Sequence, residues 1–343
     1  MSVARARPPR AGGLVAALAR WLAAPIGRAV LALVLVLALG AIFDAGGAFW
    51  KASVHRDALR QASVYGILAC GMTLVIVTGG IDLAVGSILA LSAVVFSLAT
   101  LHWSWPVWWS VPFTLLVGAA AGAVSGGLVS RFRIQPFIAT LAMMVFARGL
   151  AKTVSGGMKI STAVPDGAGG YRYTEVPAVF RAIDSRLFGG YVSTVTVLFA
   201  ACAAICWVLL ARHRWGRQLY AIGGNEEAAR LSGVPVGTAK LGAYLASGAL
   251  AAVAGLCQAA QEQQGDPEAG IGYELQAIAI VVIGGTHLAG GRGGIGQTLI
   301  GMLTIGYLEK ILSLNAVPEA TRLMLTGAIV VAAVLTQRRG ESS

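Results

Sequence analysis

Charge is what this sequence has least of. Asp, Glu, Lys and Arg make up 12% of its 343 residues, against 57% hydrophobic residues and a mean hydropathy of +0.74. So few charges cannot cover a soluble domain of this length, which leaves an integral membrane protein. Cysteine is nearly as sparse. Cys70, Cys202, Cys206 and Cys257 all lie in apolar stretches, at spacings that suit neither a disulfide framework nor a metal site. No G-x-x-x-x-G-K-[ST] phosphate loop occurs, and no grouping of His, Cys and Ser resembles a hydrolytic centre, which argues against a membrane enzyme.

The charge that remains is mainly basic, 26 Lys and Arg against 15 Asp and Glu. A basic balance can mean nucleic acid, but these residues form short clusters between apolar runs and mark cytoplasmic loops instead. The first 28 residues hold five arginines and no acid, whereas "QEQQGDPEAGIGYE" (261–274) has acids and neither Lys nor Arg. Both termini and the loop 211–240 are therefore expected inside, and the polar connection 152–190 outside. The arginines before the first apolar run also suit a signal peptide. That run is long and lacks a small-x-small cleavage site after it, so a retained helix is expected.

Runs of about 20 apolar residues cross ~30 Å of hydrocarbon. Ten candidates occur, near 23–43, 62–78, 83–101, 108–129, 135–151, 191–210, 240–260, 274–286, 295–312 and 320–336. The eighth is too short to cross alone. The expected fold is all-α and polytopic, with about ten transmembrane helices, some short or broken, around a central pathway. A basic segment (1–28), a membrane domain (29–336) and a short tail (337–343) divide the chain. "HWSWPVWW" (102–109) could stack sugars, but tryptophans at a helix end usually anchor at the membrane interface.

Two breaks stand out among the apolar runs. "VIVTGGIDLAVG" and "IVVIGGTHLAGG" align at an offset of 205, laying Gly79 and Gly80 over Gly284 and Gly285, and Asp82 over His287. A duplicated transporter core would place broken helices at matching positions in its two halves. Unwound backbone is tolerated in a membrane only against protein or a wet cavity, and an Asp facing lipid costs at least ~2.5 kcal/mol. Thr78, Gly79, Gly80, Asp82, Gly284, Gly285 and His287 are accordingly candidates to line or shape a translocation path. Asp82 can equally cap the helix that follows, accepting N–H bonds near Val85. "GRGGIG" (291–296) matches a dinucleotide fingerprint literally, yet no strand precedes it, and a tight turn is the better reading.

The most informative soluble stretch runs from Arg212 to Lys240. Asn225 can cap a short helix with Glu226 and Glu227 in its first turn, ended by Gly233 and Pro235. The order Glu227-Ala228-Ala229, three residues, then Gly233 resembles the coupling-helix signature of ATP-binding-cassette importer permeases. "TGGIDLAVGSILAL", "AIGGNEEAARLSGV" and "GGTHLAGGRGGIGQTLIG" together resemble the ribose-type, simple-sugar branch, over Gln61 to Leu335.

The resemblance implies a permease subunit in the bacterial inner membrane, working as a pair with a second copy or a paralogue. It also implies an ATP-binding-cassette ATPase below and a solute-binding protein on the far side. By position, Asn225, Glu226, Glu227, Ala228, Ala229, Arg230 and Gly233 would dock on the ATPase, small Ala228 and Ala229 permitting close approach. ATP and Mg would be used by the partner, with no cofactor bound by this chain. The competing expectation is a proton-coupled secondary transporter, in which Asp82 or His287 carries the proton.

Overall fold

The structure is a computed structural model and describes residues 24–165 and 170–339. Most of the basic segment 1–28 and the end of the tail 337–343 lie outside the described residues. The helical elements follow the apolar runs closely. They begin with α1 (Pro25–Ile42), a 3₁₀ turn (Ala48–Trp50), α2 (Ala52–Val77), α3 (Val85–Ser97, widened into a π turn over Leu98–His102), α4 (Val107–Ser130) and α5 (Pro136–Ser155). Two small antiparallel strand pairs flank α6 (Ala178–Ile183): β1 (Ala163–Pro165) with β2 (Tyr171–Tyr173), then β3 (Arg186–Leu187) with β4 (Val192–Ser193). The chain continues with α7 (Thr194–Ala211), α8 (Arg214–Gly224), α9 (Glu226–Leu231), α10 (Val236–Glu262), α11 (Tyr273–Ile283), α12 (Ile295–Leu314) and α13 (Glu319–Arg339).

Local chemistry sets the ends. Pro25 and Pro136 sit in the first turns of α1 and α5, where a missing N–H costs nothing. Ser193 and His213 accept the Val195 and Trp215 amides at the starts of α7 and α8.

Six of these helices, α2, α3 with its π turn, α4, α5, α7 and α10, are long and apolar enough to cross a membrane on composition alone. The expected count of ten is not reached on that criterion. α1 and α11 fall short in apolar length among the described residues. α2 also begins ten residues earlier than its apolar run. Its polar first turns hold Asp57 and Arg60, which pair with Arg186 and Asp184.

Burial separates centre from rim. The apolar windows of α2 and α3 are 83% and 94% buried, whereas those of α5 and α7 are 28%. α10 joins α2 and α3 at the centre, and α4, α5 and α7 show Leu116, Phe146 and Ile205 to the lipid side. Trp103, Trp105, Trp108 and Trp109 are exposed where α3 hands over to α4, as an interface anchor requires.

Small residues let α4 and α10 touch backbone to backbone. A Cβ on Gly122 would lie 2.2 Å from the Tyr244 carbonyl oxygen, and one on Gly248 2.2 Å from that of Gly118. Lipid supplies no hydrophobic force between helices, so such close packing is what holds them.

After α10 the chain turns back into the protein. A Cβ on Gly265 would meet Ala93 and Ser97, and one on Gly270 would meet Gly86. Those contacts lie about 10–16 Å apart along α3 at 1.5 Å per residue. Residues 263–272 therefore descend beside α3, and α11 starts at depth instead of at the surface. Hydrogen bonds hold the descent: Arg148 Nη1 donates to the Pro267 and Ala269 carbonyls at 2.6 and 2.7 Å, and Ile160 and Gly265 exchange backbone bonds of 2.8 Å. Lys152 and Lys159 add ion pairs to Glu268 and Asp266.

Overpacking at Gly122 is expected to be costly. Gly122→Val should lower stability in detergent by about 1–3 kcal/mol, read as a lower thermal midpoint. Gly127→Ala, on the same helix but facing open space, should leave the midpoint unchanged or raise it slightly. Equal midpoints for both variants would rule out the close α4–α10 contact.

Candidate functional site

Both breaks are helix C-caps of one type. At the end of α2, Gly79 takes φ +78°, its amide donates to the Ile76 carbonyl, and the Gly80 amide reaches back to Val75. At the end of α11, Gly285 takes φ +99°, its amide donates to Val282, and the Thr286 amide reaches back to Val281. This is the Schellman pattern, in which a left-handed residue lets the chain tie off the last carbonyls. The equivalent residues are Gly79 and Gly285, so the two caps match at an offset one residue longer than the sequence alignment. Asp82 consequently corresponds in place to Leu288, not to His287.

Asp82 is fully buried. One carboxylate oxygen accepts the Ala84 amide at 3.0 Å and the other accepts the Ser247 hydroxyl of α10 at 2.7 Å. The expected cap near Val85 is thus a tighter turn onto Ala84, immediately before α3 begins. Thr140 of α5 donates to the Ile81 carbonyl at 3.3 Å, and Thr78 closes onto Val75 at 2.7 Å. The first break is therefore tied to α5 and α10 at once.

The two breaks then meet. Val77 ends α2 with a buried carbonyl, and the amide that satisfies it, at 3.0 Å, comes from Gly291 in the second break. Gly223 of α8 is wedged against the same bond. A Cβ there would lie 1.9 Å from the Val77 oxygen and 2.4 Å from the Gly291 nitrogen, so no side chain fits. Around this seam, the Tyr220 hydroxyl donates to the Gly293 carbonyl at 2.8 Å, and the His287 amide donates to the Arg292 carbonyl while the His287 carbonyl accepts the Gly290 amide. "GRGGIG" is accordingly a turn followed by the start of α12, and its glycines serve close backbone contact.

From the seam the chain runs directly into α9. Asn225 caps it, accepting the Ala228 amide at 2.9 Å. Glu226 holds Arg230 at 2.9 Å and Lys240 of α10 at 2.5 Å, and Arg230 also reaches Glu227 at 3.3 Å. Burial pushes the Glu226 carboxyl up, but hydrogen bonding and charge from Lys240, with Arg230, outweigh it and hold the group below the usual carboxylate range. The tether is thus intact above that range and is lost only as pH falls through the depressed value. Gly233 bonds back to Arg230 and the chain turns into α10. Ala229 is buried against its own protein, while Asn225, Glu227, Ala228 and Arg230 are exposed.

Sequence reading missed Gly223, Tyr220 and Ser247, whose roles depend on distant partners, and Leu231, whose side chain is 81% exposed at the end of α9. The cysteines are all free, and among the described residues no three His, Cys, Asp or Glu side chains converge as metal ligands.

Two substitutions test the seam and the tie. Gly223→Ala should force α8 away from Val77, and the amides of 285–294 should exchange hydrogen at least tenfold faster, with α4 unaffected. Asp82→Asn keeps an acceptor for Ala84 and should fold with near-native stability, whereas Asp82→Leu strands two donors at about 1–3 kcal/mol each. Equal thermal midpoints for the Asn and Leu variants would remove Asp82 from this role.

Comparison with known proteins follows the same boundaries. Residues 56–334 match the family described as branched-chain amino acid transport system / permease component. The ribose import permease protein RbsC of Escherichia coli (strain K12) is 40% identical over 82% of this chain and 84% of its own. The Haemophilus influenzae protein of that name is 36% identical over 90% and 91%, and the xylose transport system permease protein XylH of Escherichia coli (strain K12) is 31% identical over 89% and 90%. No solved structure matches the chain significantly. The match over residues 56–334, with relatives up to 40% identical across most of both chains, makes this chain a member of that family of transport-system permease components.

Proposed function

We propose that this chain is the membrane permease subunit of an ATP-driven importer of a simple sugar or a related polyhydroxylated solute. Its ribose and xylose relatives support the substrate class. α9 is the ATPase-docking element, with Asn225, Glu227, Ala228 and Leu231 forming its contact surface. Glu226, Arg230 and Lys240 hold that surface on α10, Ala229 roots it, and Gly233 turns the chain away. ATP and Mg act in the partner ATPase, and this chain binds no cofactor.

The observation that carries the reading is the seam at Gly223. A push on α9 passes through Asn225 into α8, and from Gly223 straight onto the backbone where α2 ends and the second break begins. Thr78, Gly79, Gly80, Asp82, Gly284, Gly285 and His287 shape the inner end of the pathway by setting where α2 and α11 stop. In this arrangement α9 faces the cytoplasm, and both termini lie on its side of the inner membrane. A solute-binding protein docks on the opposite face, and a second permease copy or paralogue completes the pathway.

A proton-coupled carrier needs a carboxylate that exchanges protons during its cycle. Asp82 is instead enclosed and bonded on both oxygens.

Proteoliposomes holding the permease, its ATPase and its binding protein should take up solute only with ATP on the α9 side, and collapse of the proton gradient should leave uptake intact. Leu231→Asp and Glu227→Arg should each weaken ATPase binding at least tenfold, about 1.4 kcal/mol, while the protein still inserts. Uptake by the chain alone on a proton gradient would defeat the proposal, as would full ATPase binding by both variants.

A further inference from the structure

A polar cavity of 210 Å³ lies between α2, α10, α11, α12 and α13, on the face opposite α9. The descent of residues 263–272 lets α11 begin at depth, which brings Tyr273 into the cavity lining. Gln61 and Ser313 are exposed and open it to that face. We propose that this cavity binds one uncharged, polyhydroxylated solute of monosaccharide size during passage, and that it does not accept an aliphatic amino acid. The proposal rests on the importer reading above and specifies the solute chemistry at a site in this chain.

The lining chemistry carries the argument. Gln61, Gln258 and Gln261 present amides; Gln258 and Gln261 already donate Nε2 to Glu262 and to the Arg60 carbonyl, so these two offer acceptors to sugar hydroxyls, and Gln61 offers both kinds of group. Tyr65 and Tyr273 pack edge to face with ring centroids 4.6 Å apart, giving a wall with an apolar body and polar tips. Glu309 and Arg322 face each other at 3.7 Å, so their charges are already matched and offer a zwitterion no unpaired counter-charge. The aliphatic lining is Ala62 and Val64, with Gly306 beside them, and the two tyrosine rings supply the rest of the apolar wall. Behind the lining, Gln276 Nε2 donates to Glu309 at 3.5 Å, which helps to hold that carboxylate on Arg322. The volume also sits below the ~300–1,000 Å³ of drug-sized sites, so one small solute fills it.

The test uses the complete importer in nanodiscs, with D-ribose, D-xylose, D-fructose and L-leucine as probes. In Gln61→Cys, at the exposed rim, at least one of the three sugars should slow alkylation threefold or more, and L-leucine should leave it unchanged. In transport assays, Gln258→Leu and Gln261→Leu should each raise the KM for that sugar at least tenfold while ATPase binding at α9 stays at the wild-type level. Protection by L-leucine, protection by none of the sugars, or an unchanged KM in both variants overturns the proposal. Loss of ATP dependence in wild type would overturn the importer reading alone, because the alkylation assay reads the cavity without ATP.

Discussion

The carbonyl of Val77 has to find a donor where neither water nor its own helix can supply one, and much of the molecule is arranged around that need. An unsatisfied backbone group at this depth costs several kcal/mol. The donor is Gly291, more than two hundred residues away, so the second break must come to the first. Close approach of the two backbones leaves no room for a side chain from α8, which fixes glycine at 223. The site is a consequence of backbone accounting in a medium that offers no hydrogen bonds, and its side chains serve mainly to hold that arrangement.

The parts of this that sequence displays are the local ones. Helix positions follow from apolar length, the shortness of α11 from its run, and the start of α9 from Asn225 and two acids. What sequence hid was whatever depended on a partner elsewhere. The polar first turns of α2 read as loop because their charges are satisfied by Asp184 and Arg186, far along the chain. The break alignment slipped by one because adjacent glycines are indistinguishable until one of them takes positive φ. Ala229 looked like a docking residue, but helical geometry turns it inward and leaves Leu231 outside. The cavity was invisible because Gln61, Gln258, Tyr273, Glu309 and Arg322 come from five separate helices.

α11 connects the two sites. It has 11 residues, about 16 Å at 1.5 Å per residue, and it begins in the cavity lining with Tyr273 and ends in the cap that leads to the seam. A helix of this length is rigid, so displacement at one end reappears at the other. The opposite face is comparatively fixed, because Arg148 and the paired backbone of Ile160 and Gly265 hold the descent to α3. In the proposed importer, the solute cavity and the seam behind the ATPase-docking helix would thus lie at opposite ends of a single element that starts where residues 263–272 end.

That descent also constrains how the protein is made. A segment the length of α11 is too short to cross a membrane alone, and the backbone leading to it carries acids and carbonyls that are satisfied only by its contacts in the folded protein. It can settle only onto surfaces that already exist: Gly86 and Ser97 on α3, and Arg148 on α5. All of these precede it in the chain and would leave the ribosome first. The order of the sequence therefore doubles as an assembly schedule, in which the early helices form the mould and the re-entrant segment is cast into it with α12 as its returning arm.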